Sequence, residues 1–473
     1  MTLELPLPKL EDFGISKISG FLPQDFPATR LADVYYSCWE DVVGNLPSLI
    51  VSRRLRVVVD RIPKLKVKPE LVADIRQLRR AYTVLCFIVN AYVWGADEVV
   101  DTLPDNIADP ILVVSDELGL PPLATYSSLV LWNFRPIFTN TDLLEDGELM
   151  SVSNLTSINT FTGGFDETWF YLVSVLFEKL GSKCVTCGLD ILQGIRNNDL
   201  PRITSSLESL AQLIENLGSL LGRMDEMCDP HIFYYRIRPY LAGWRGMKTA
   251  GLPNGLRYGS KGEYKIFAGG SNAQSSLLQV LDILLGVEHF QTGMKASADR
   301  YGSAKSESNS YINDMRNYMP REHRDFLHHL SRVSNVRDFV LNRKSNSSLV
   351  LAYDACIASL KSFRDKHIQI VTRFILLPSR KAPHVQTAGR STLRVGLAKS
   401  SSNIDQVGTG GTSIIPFLKQ CRDETGSVAA SDWGKRVVSS GISNLRNCPN
   451  TNKKCALSDS KEEEMQDAFG GRG

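Results

Sequence analysis

Apolar residues recur along most of this chain at intervals of three and four, and that periodicity constrains its fold more than any other feature. Leu207, Leu210, Leu213, Ile214, Leu217, Leu220 and Leu221 show it plainly, because a helix of about 3.6 residues per turn gathers such positions onto one face. Strict apolar/polar alternation, the mark of a half-buried strand, is hard to find anywhere. The chain is therefore expected to be all-α. Pro104, Pro121-Pro122, Pro230 and Pro320 punctuate the helical windows, and no internal repeat of the solenoid kind is visible.

At 473 residues the chain exceeds the usual size of one domain. A polar stretch from Asn140 to Gly164 reads as a linker. The expected layout is a small helical N-terminal domain, 1–150, packed on a large helical domain, 151–425, with a disordered tail, 426–473, rich in Ser, Asn, Lys and Gly. Residues Ser379 to Gln406, basic and Ser-rich, are expected to be mobile as well. Gly408 to Thr412, with three glycines, reads as a flexible polar loop.

Lys+Arg 54 against Asp+Glu 51 leaves a net charge of +3, so no global basic field points to nucleic acid or to an anionic membrane surface. The first twenty residues carry Glu4, Pro6 and Pro8 and no apolar run of the secretory kind. The longest charge-free apolar stretch, Ala81 to Ala96, falls short of the roughly 18 to 20 residues of a membrane helix. The nine cysteines are scattered without repeated spacing, the usage of a reducing compartment. A cytoplasmic protein is expected. Cys184 and Cys187 have redox or zinc spacing, but no second Cys/His pair completes a set, and a structural role is favoured.

Of seven histidines, His367 has the unusual setting. Tyr353, Cys356, Ile357, Leu360, Phe363, His367, Ile370 and Phe374 form one helical stripe, so its imidazole projects from an apolar face with Arg364 one turn earlier. A core histidine satisfied by its neighbours would explain this, and so would a ligand. The arginine needs an anion if buried. A carboxylate from another helix and the propionate of a haem ligated by His367 both qualify. Asp282 lies on the apolar face of a helix preceded by Ser271-Asn-Ala-Gln274, the S-x-x-Q form of a capping box. An Asp282–Arg364 contact is expected. The turn Gly269-Gly270-Ser271 is only a weak phosphate-cradle signal. On a third helix beginning near Glu167, Phe170, Ser174 and Phe177 place a hydroxyl between rings. The aromatic segment from His231 to Gly246, with Phe233 and Arg238, suits a nucleic-acid surface or equally a pocket for an aromatic carboxylic acid gripped by a guanidinium.

The strings Leu103 to Ala108, Phe267 to Ser276, Asp314 to Pro320, Lys366 to Thr372 and Gly408 to Thr412 resemble indoleamine 2,3-dioxygenases, in the family's order and over about residues 20 to 425. The resemblance implies a dioxygenase holding one haem b, with one iron per chain, that joins dioxygen to L-tryptophan or a related indoleamine across the indole C2–C3 bond. The product would be N-formylkynurenine, at the start of the kynurenine route of tryptophan catabolism and NAD biosynthesis. It implies His367 as proximal iron ligand, with Arg364, Asp282 and Ser271 as the other cofactor-binding residues. Phe170, Ser174, Phe233 and Arg238 would form the distal catalytic set. Tyr126, Val130, Phe170, Phe233, Arg238, Ser271 and Thr412 would contact substrate. A monomer is expected, needing an electron donor to keep iron ferrous and no nucleic-acid or membrane partner. Leu129, Asn272, Tyr171 and Tyr234 depart from residues found in some members. A haem-binding sensor that keeps the fold without turnover is the alternative.

Overall fold

Why helices form here is visible at their ends. In a computed structural model describing residues 5–140, 148–293, 311–380, 408, 413–432 and 434–435, helix α1 runs from Ile75 to Trp94. Asp74 starts it by accepting from the backbone N–H groups of Arg76 and Gln77. Its interior, including Phe87, Ile88 and Val89, has no solvent exposure, so the long apolar stretch is core. Among the described residues no helix is long and apolar enough to cross a membrane. The one charge buried in α1, Arg80, is paired: its guanidinium meets both oxygens of Glu40 at 3.0 and 2.6 Å and donates to Asn159 at 2.5 Å.

The helices that carry the rest of the protein are α2 (Asp105–Leu118), α3 (Phe165–Arg196), α4 (Leu200–Gly222), α5 (Ser276–Leu285), α6 (Arg321–Val333), α7 (Ser347–Val371) and α8 (Ile414–Ser427). The chain is mostly helical, as the periodicity requires. Among the described residues five short strands complete it: β1 (Thr102–Leu103), β2 (Phe134–Pro136), β3 (Leu155–Ser157), β4 (Leu256–Tyr258) and β5 (Tyr264–Lys265). β4 sits between β1, parallel, and β5, antiparallel, with Thr102 opposite Arg257 and Leu256 opposite Lys265. β2 and β3 pair antiparallel with Arg135 opposite Thr156.

Two hydrophobic clusters organise the packing. One surrounds α1 and takes in Trp39, Phe87, Trp94 and Trp244. The other lies where α3, α4, α5 and α7 meet, around Leu207, Leu277, Phe326 and Tyr353. Glycines permit the closest approach: a Cβ on Gly181 would overlap Leu277, and one on Gly188 would overlap Leu284, so α3 takes the apolar face of α5 against its own backbone. α5 stops at Gly286, whose φ of 66° lets the chain turn away.

Three local readings change. Where it is described, from 148 onward, the expected linker between Asn140 and Gly164 is packed: β3 pairs with β2, and Asn154 and Asn159 are buried, Asn159 accepting from Arg80. Polarity there reflects satisfied hydrogen bonds in the interior. Ser271 caps a short 3-10 turn, Asn272–Gln274, accepting from Ala273 N–H, while α5 begins only at Ser276. Gln274 does not close a capping box; it accepts from Tyr126 N–H and donates to the Gly269 carbonyl, tying two loops together. Beyond residue 425 the chain is still packed: Val428, Ala429 and Ala430 are buried, and Ala430 and Ser431 donate backbone N–H bonds to Asp354 on α7. Residues 381–407 and 436–473 lie outside the described residues.

Candidate active site

The C-terminal half of α7 carries Phe363, Arg364 and His367 to the edge of a cavity that encloses about 1320 Å³ of atom-free space counting its opening. His367 faces this space and has no hydrogen-bond partner among the described residues. A core histidine satisfied by its neighbours would have one. Burial, reinforced by the Arg364 charge, pushes its pKa down to about 4, so the imidazole is neutral and keeps a nitrogen lone pair at physiological pH.

Behind His367 the charges are paired in series. Arg364 Nη2 donates to Asp282 Oδ1 at 2.5 Å, the contact expected from two opposite charges on apolar helix faces. Asp282 Oδ2 lies 3.1 Å from His289 Nε2, and His289 Nδ1 lies 2.6 Å from Glu424 on α8. Burial would raise the Asp282 pKa, but the Arg364 charge and then that of His289 outweigh it and hold the carboxyl at about 2. His289 is held well above its ordinary value: burial opposes protonation, and the Asp282 carboxylate overcomes it. The series reaches from α7 through α5 to α8. His289 and Glu424 carry no local sequence signal for this, being 135 positions apart.

The opposite part of the lining is aromatic and apolar. Phe170 from α3 and Phe233 stand 5.0 Å apart between ring centroids, and Phe374 meets Phe233 edge-on at 5.7 Å. Tyr126, Leu129, Val130, Ser174, Ser271 and Ile370 also line it. Three π-helical turns, Ser127–Leu131, Phe233–Ile237 and Thr372–Leu376, each contribute lining residues. A π turn holds an extra residue and shifts the register that follows, which re-aims side chains from the direction an α-helix would give.

One cation enters this lining. Arg238 is 1% exposed, its guanidinium lies 5.2 Å over the Tyr234 ring, and burial lowers its pKa to about 10, so it remains charged. The backbone that follows it is held from α1: Asn90 donates to the carbonyls of Tyr240 and Ala242. Ser174 Oγ bonds back to the Phe170 carbonyl at 3.4 Å, and no His or carboxylate hydrogen-bonds it among the described residues. Next to it, the Tyr126 hydroxyl donates to Glu178 Oε1, which also accepts from Ser275. Burial pushes the Glu178 pKa up to about 7. Glu178 was not singled out from sequence, although its i+4 spacing from Ser174 was available.

The cavity thus brings together Tyr126, Val130, Phe170, Ser174, Phe233, Arg238, Ser271 and His367. Arg364 and Asp282 stand behind His367. Thr412 lies outside the described residues, as does most of Gly408 to Thr412; Gly408 itself lines the cavity. Phe177 turns away to pack on Phe363. The departures sort physically. Leu129 and Asn272 line the cavity. Tyr171 is fully buried and donates to Glu167, and Tyr234 supports the Arg238 guanidinium, so neither added hydroxyl alters the lining. The residues present suit a haem. A neutral imidazole faces a cavity with apolar walls, and the buried Nε of Arg364 has no partner among the described residues.

Comparison with known proteins agrees with this chemistry. The family model described as indoleamine 2,3-dioxygenase matches residues 9–428. Indoleamine 2,3-dioxygenase of Saccharomyces cerevisiae is 47% identical over 440 residues, 90% of this chain and 94% of the relative. Indoleamine 2,3-dioxygenase 1 of Mus musculus is 35% identical over 88% of this chain and 94% of its own, and a 6-hydroxytryptophan 2,3-dioxygenase of Fusarium equiseti is 35% identical over 88% and 96%. A match of this extent, over a cavity lined by an imidazole and a buried guanidinium, places the chain in the indoleamine 2,3-dioxygenase family, whose members are haem-dependent oxidoreductases of tryptophan catabolism.

Proposed function

We propose that this enzyme adds both atoms of dioxygen across the indole C2–C3 bond of L-tryptophan, giving N-formylkynurenine, as the first step of a kynurenine route that serves tryptophan breakdown and NAD biosynthesis. The observation that carries the reading is Arg238, a fully buried cation in an aromatic cavity that also contains His367. A buried guanidinium beside indole-sized aromatic walls is matched by an aromatic amino acid whose carboxylate it can grip in bidentate fashion.

His367 would hold the iron of one haem b, with Arg364, Asp282 and Ser271 toward the propionates. Haem bound there supplies ferrous iron, which activates dioxygen. The chain's own work is positioning. Phe233 and Phe170 pack on the indole, Tyr126 and Val130 wall the inner end, and Arg238 fixes the carboxylate. Ser271, and Thr412 from outside the described residues, offer hydroxyls to the substrate's ammonium. Ser174 is too weak a base to take a proton unaided. A cytoplasmic monomer served by an external electron donor completes the proposal, together with a domain division near residue 150.

The test compares L-tryptophan with tryptamine, which lacks the carboxylate. Arg238→Ala should lower kcat/KM for L-tryptophan by roughly 30-fold to several thousandfold, the equivalent of about 2–5 kcal/mol, with haem content and tryptamine turnover little changed. Equal loss on both substrates, or none on either, would remove Arg238 from the carboxylate site. Because one relative is named for 6-hydroxytryptophan, that compound belongs in the same assay, and a kcat/KM above that of L-tryptophan would reassign the substrate.

A further inference from the structure

Away from the cavity lining, His289, Cys421 and Glu424 place one ligand atom each within 4.8 Å of one another. We propose that they form a site for a zinc-class divalent cation that fastens α8 to the loop following α5. None of the three is among the residues that line the cavity.

The donor chemistry suits such an ion. An imidazole nitrogen, a thiolate and a carboxylate oxygen are the ligand types of zinc sites. Cys421 and Glu424 are three apart on α8, so one helical turn presents both toward His289. All three are shielded from solvent: His289 is 7% and Cys421 4% exposed, and the Glu424 side chain 12%. Tetrahedral zinc with bonds of about 2.0–2.3 Å sets its donors roughly 3.3–3.8 Å apart, which asks for movements of about an ångström from the positions observed. Water would complete the coordination.

The surroundings are those of a metal-bound histidine. His289 would ligate through Nδ1, the nitrogen that faces Glu424 Oε2. Its Nε2 is already oriented by Asp282 at 3.1 Å, the carboxylate–histidine arrangement that fixes the tautomer and raises ligand basicity. Asp282 is in turn held by Arg364, and Glu424 Oε1 is held by Phe290 N–H and the Gln420 amide.

Binding would be a ligand exchange without electron transfer: Zn²⁺ takes an imidazole nitrogen, a thiolate and a carboxylate oxygen, and any protons these groups carry leave to solvent. Because Ile414, Phe417 and Leu418 of α8 line the cavity, the ion would fix one wall of the substrate site.

The experiment uses the haem-loaded full chain with Cys38, Cys187, Cys448 and Cys455 changed to Ser, which removes the C-x-x-C pair and three further thiols as competing zinc ligands. Equilibrium dialysis against buffered ZnCl₂, followed by zinc and iron analysis, should give one zinc per chain with micromolar or tighter affinity. Cys421→Ser and, separately, Glu424→Gln should each weaken it at least tenfold with iron content unchanged. Zinc should also raise the unfolding temperature of the reference chain and not that of Cys421→Ser. Absence of stoichiometric zinc, or zinc retained at full affinity in both variants, overturns the site and leaves a hydrogen-bonded latch in its place.

Discussion

Asp282→Asn tests whether the charge series behind His367 supports the fold. The wild-type carboxylate accepts from Arg364 at 2.5 Å and faces His289 at 3.1 Å, 6% exposed. Holding it at about 2 instead of the ordinary 3.8 corresponds to roughly 2.5 kcal/mol at neutral pH. Removing one partner of a buried pair, which strands the other charge, costs about 3–5 kcal/mol. The two routes agree on about 3 kcal/mol. The sign with pH follows from the direction of each shift. The Asp282 contribution is complete above pH 3.8 and is lost as pH falls through about 2. That of His289, raised well above 6.5, is complete below 6.5 and is lost as pH rises through its folded value. The gap between wild type and variant should therefore be largest between about pH 5 and 6.5 and shrink in strong acid. Urea unfolding of both haem-loaded chains across this range reads it directly. A gap under about 1 kcal/mol at neutral pH, or one that widens on acidification, would refute the argument.

Three further outcomes are expected. His367→Ala should purify with little iron per chain while keeping wild-type far-UV circular dichroism, since the imidazole faces a cavity and bonds nothing described in the protein; full iron content would assign the ligand elsewhere. Ser174→Ala should retain activity within about tenfold, roughly 1.4 kcal/mol, because its hydroxyl bonds back to the Phe170 carbonyl and no His or carboxylate hydrogen-bonds it among the described residues; abolished turnover with substrate still bound would contradict this. Truncation after Thr425 removes the Ala430 and Ser431 donors from Asp354, which is 4% exposed, and should lower stability by about 2–3 kcal/mol, read as a drop of several degrees in the unfolding midpoint.

The helical architecture was legible because amphipathic periodicity depends on a window of residues and little else. The Asp282–Arg364 pair was legible for a related reason: a charge on an otherwise apolar face must find its opposite, and few candidates existed. Polarity misled where long-range bonds satisfied it. The segment from Asn140 to Gly164 looked like a linker, yet Asn159 accepts from Arg80, 79 positions away. No local window contains that partner. The same holds for Gln274, which had the spacing to cap α5 but bonds Tyr126 instead.

The cavity shows why site residues are harder to find than core residues. A helical stripe assigns a direction to each side chain only while the turn is regular, and at three places around this cavity it is not. The π turns at Ser127–Leu131, Phe233–Ile237 and Thr372–Leu376 interrupt their segments where Val130, Phe233 and Phe374 meet the cavity. Extending the stripe of α7 through Phe374 happens to name a residue that does line the site, but it supplies the wrong reason, since the register has already slipped. Such turns forgo regular hydrogen bonding and persist where surrounding packing over-determines them. Here that packing includes Phe170 against Phe233 and Phe233 against Phe374. The aromatic contacts that build the pocket thus also hold the irregular backbone that aims them, and truncating Phe233 would remove a wall and the support of its neighbours together.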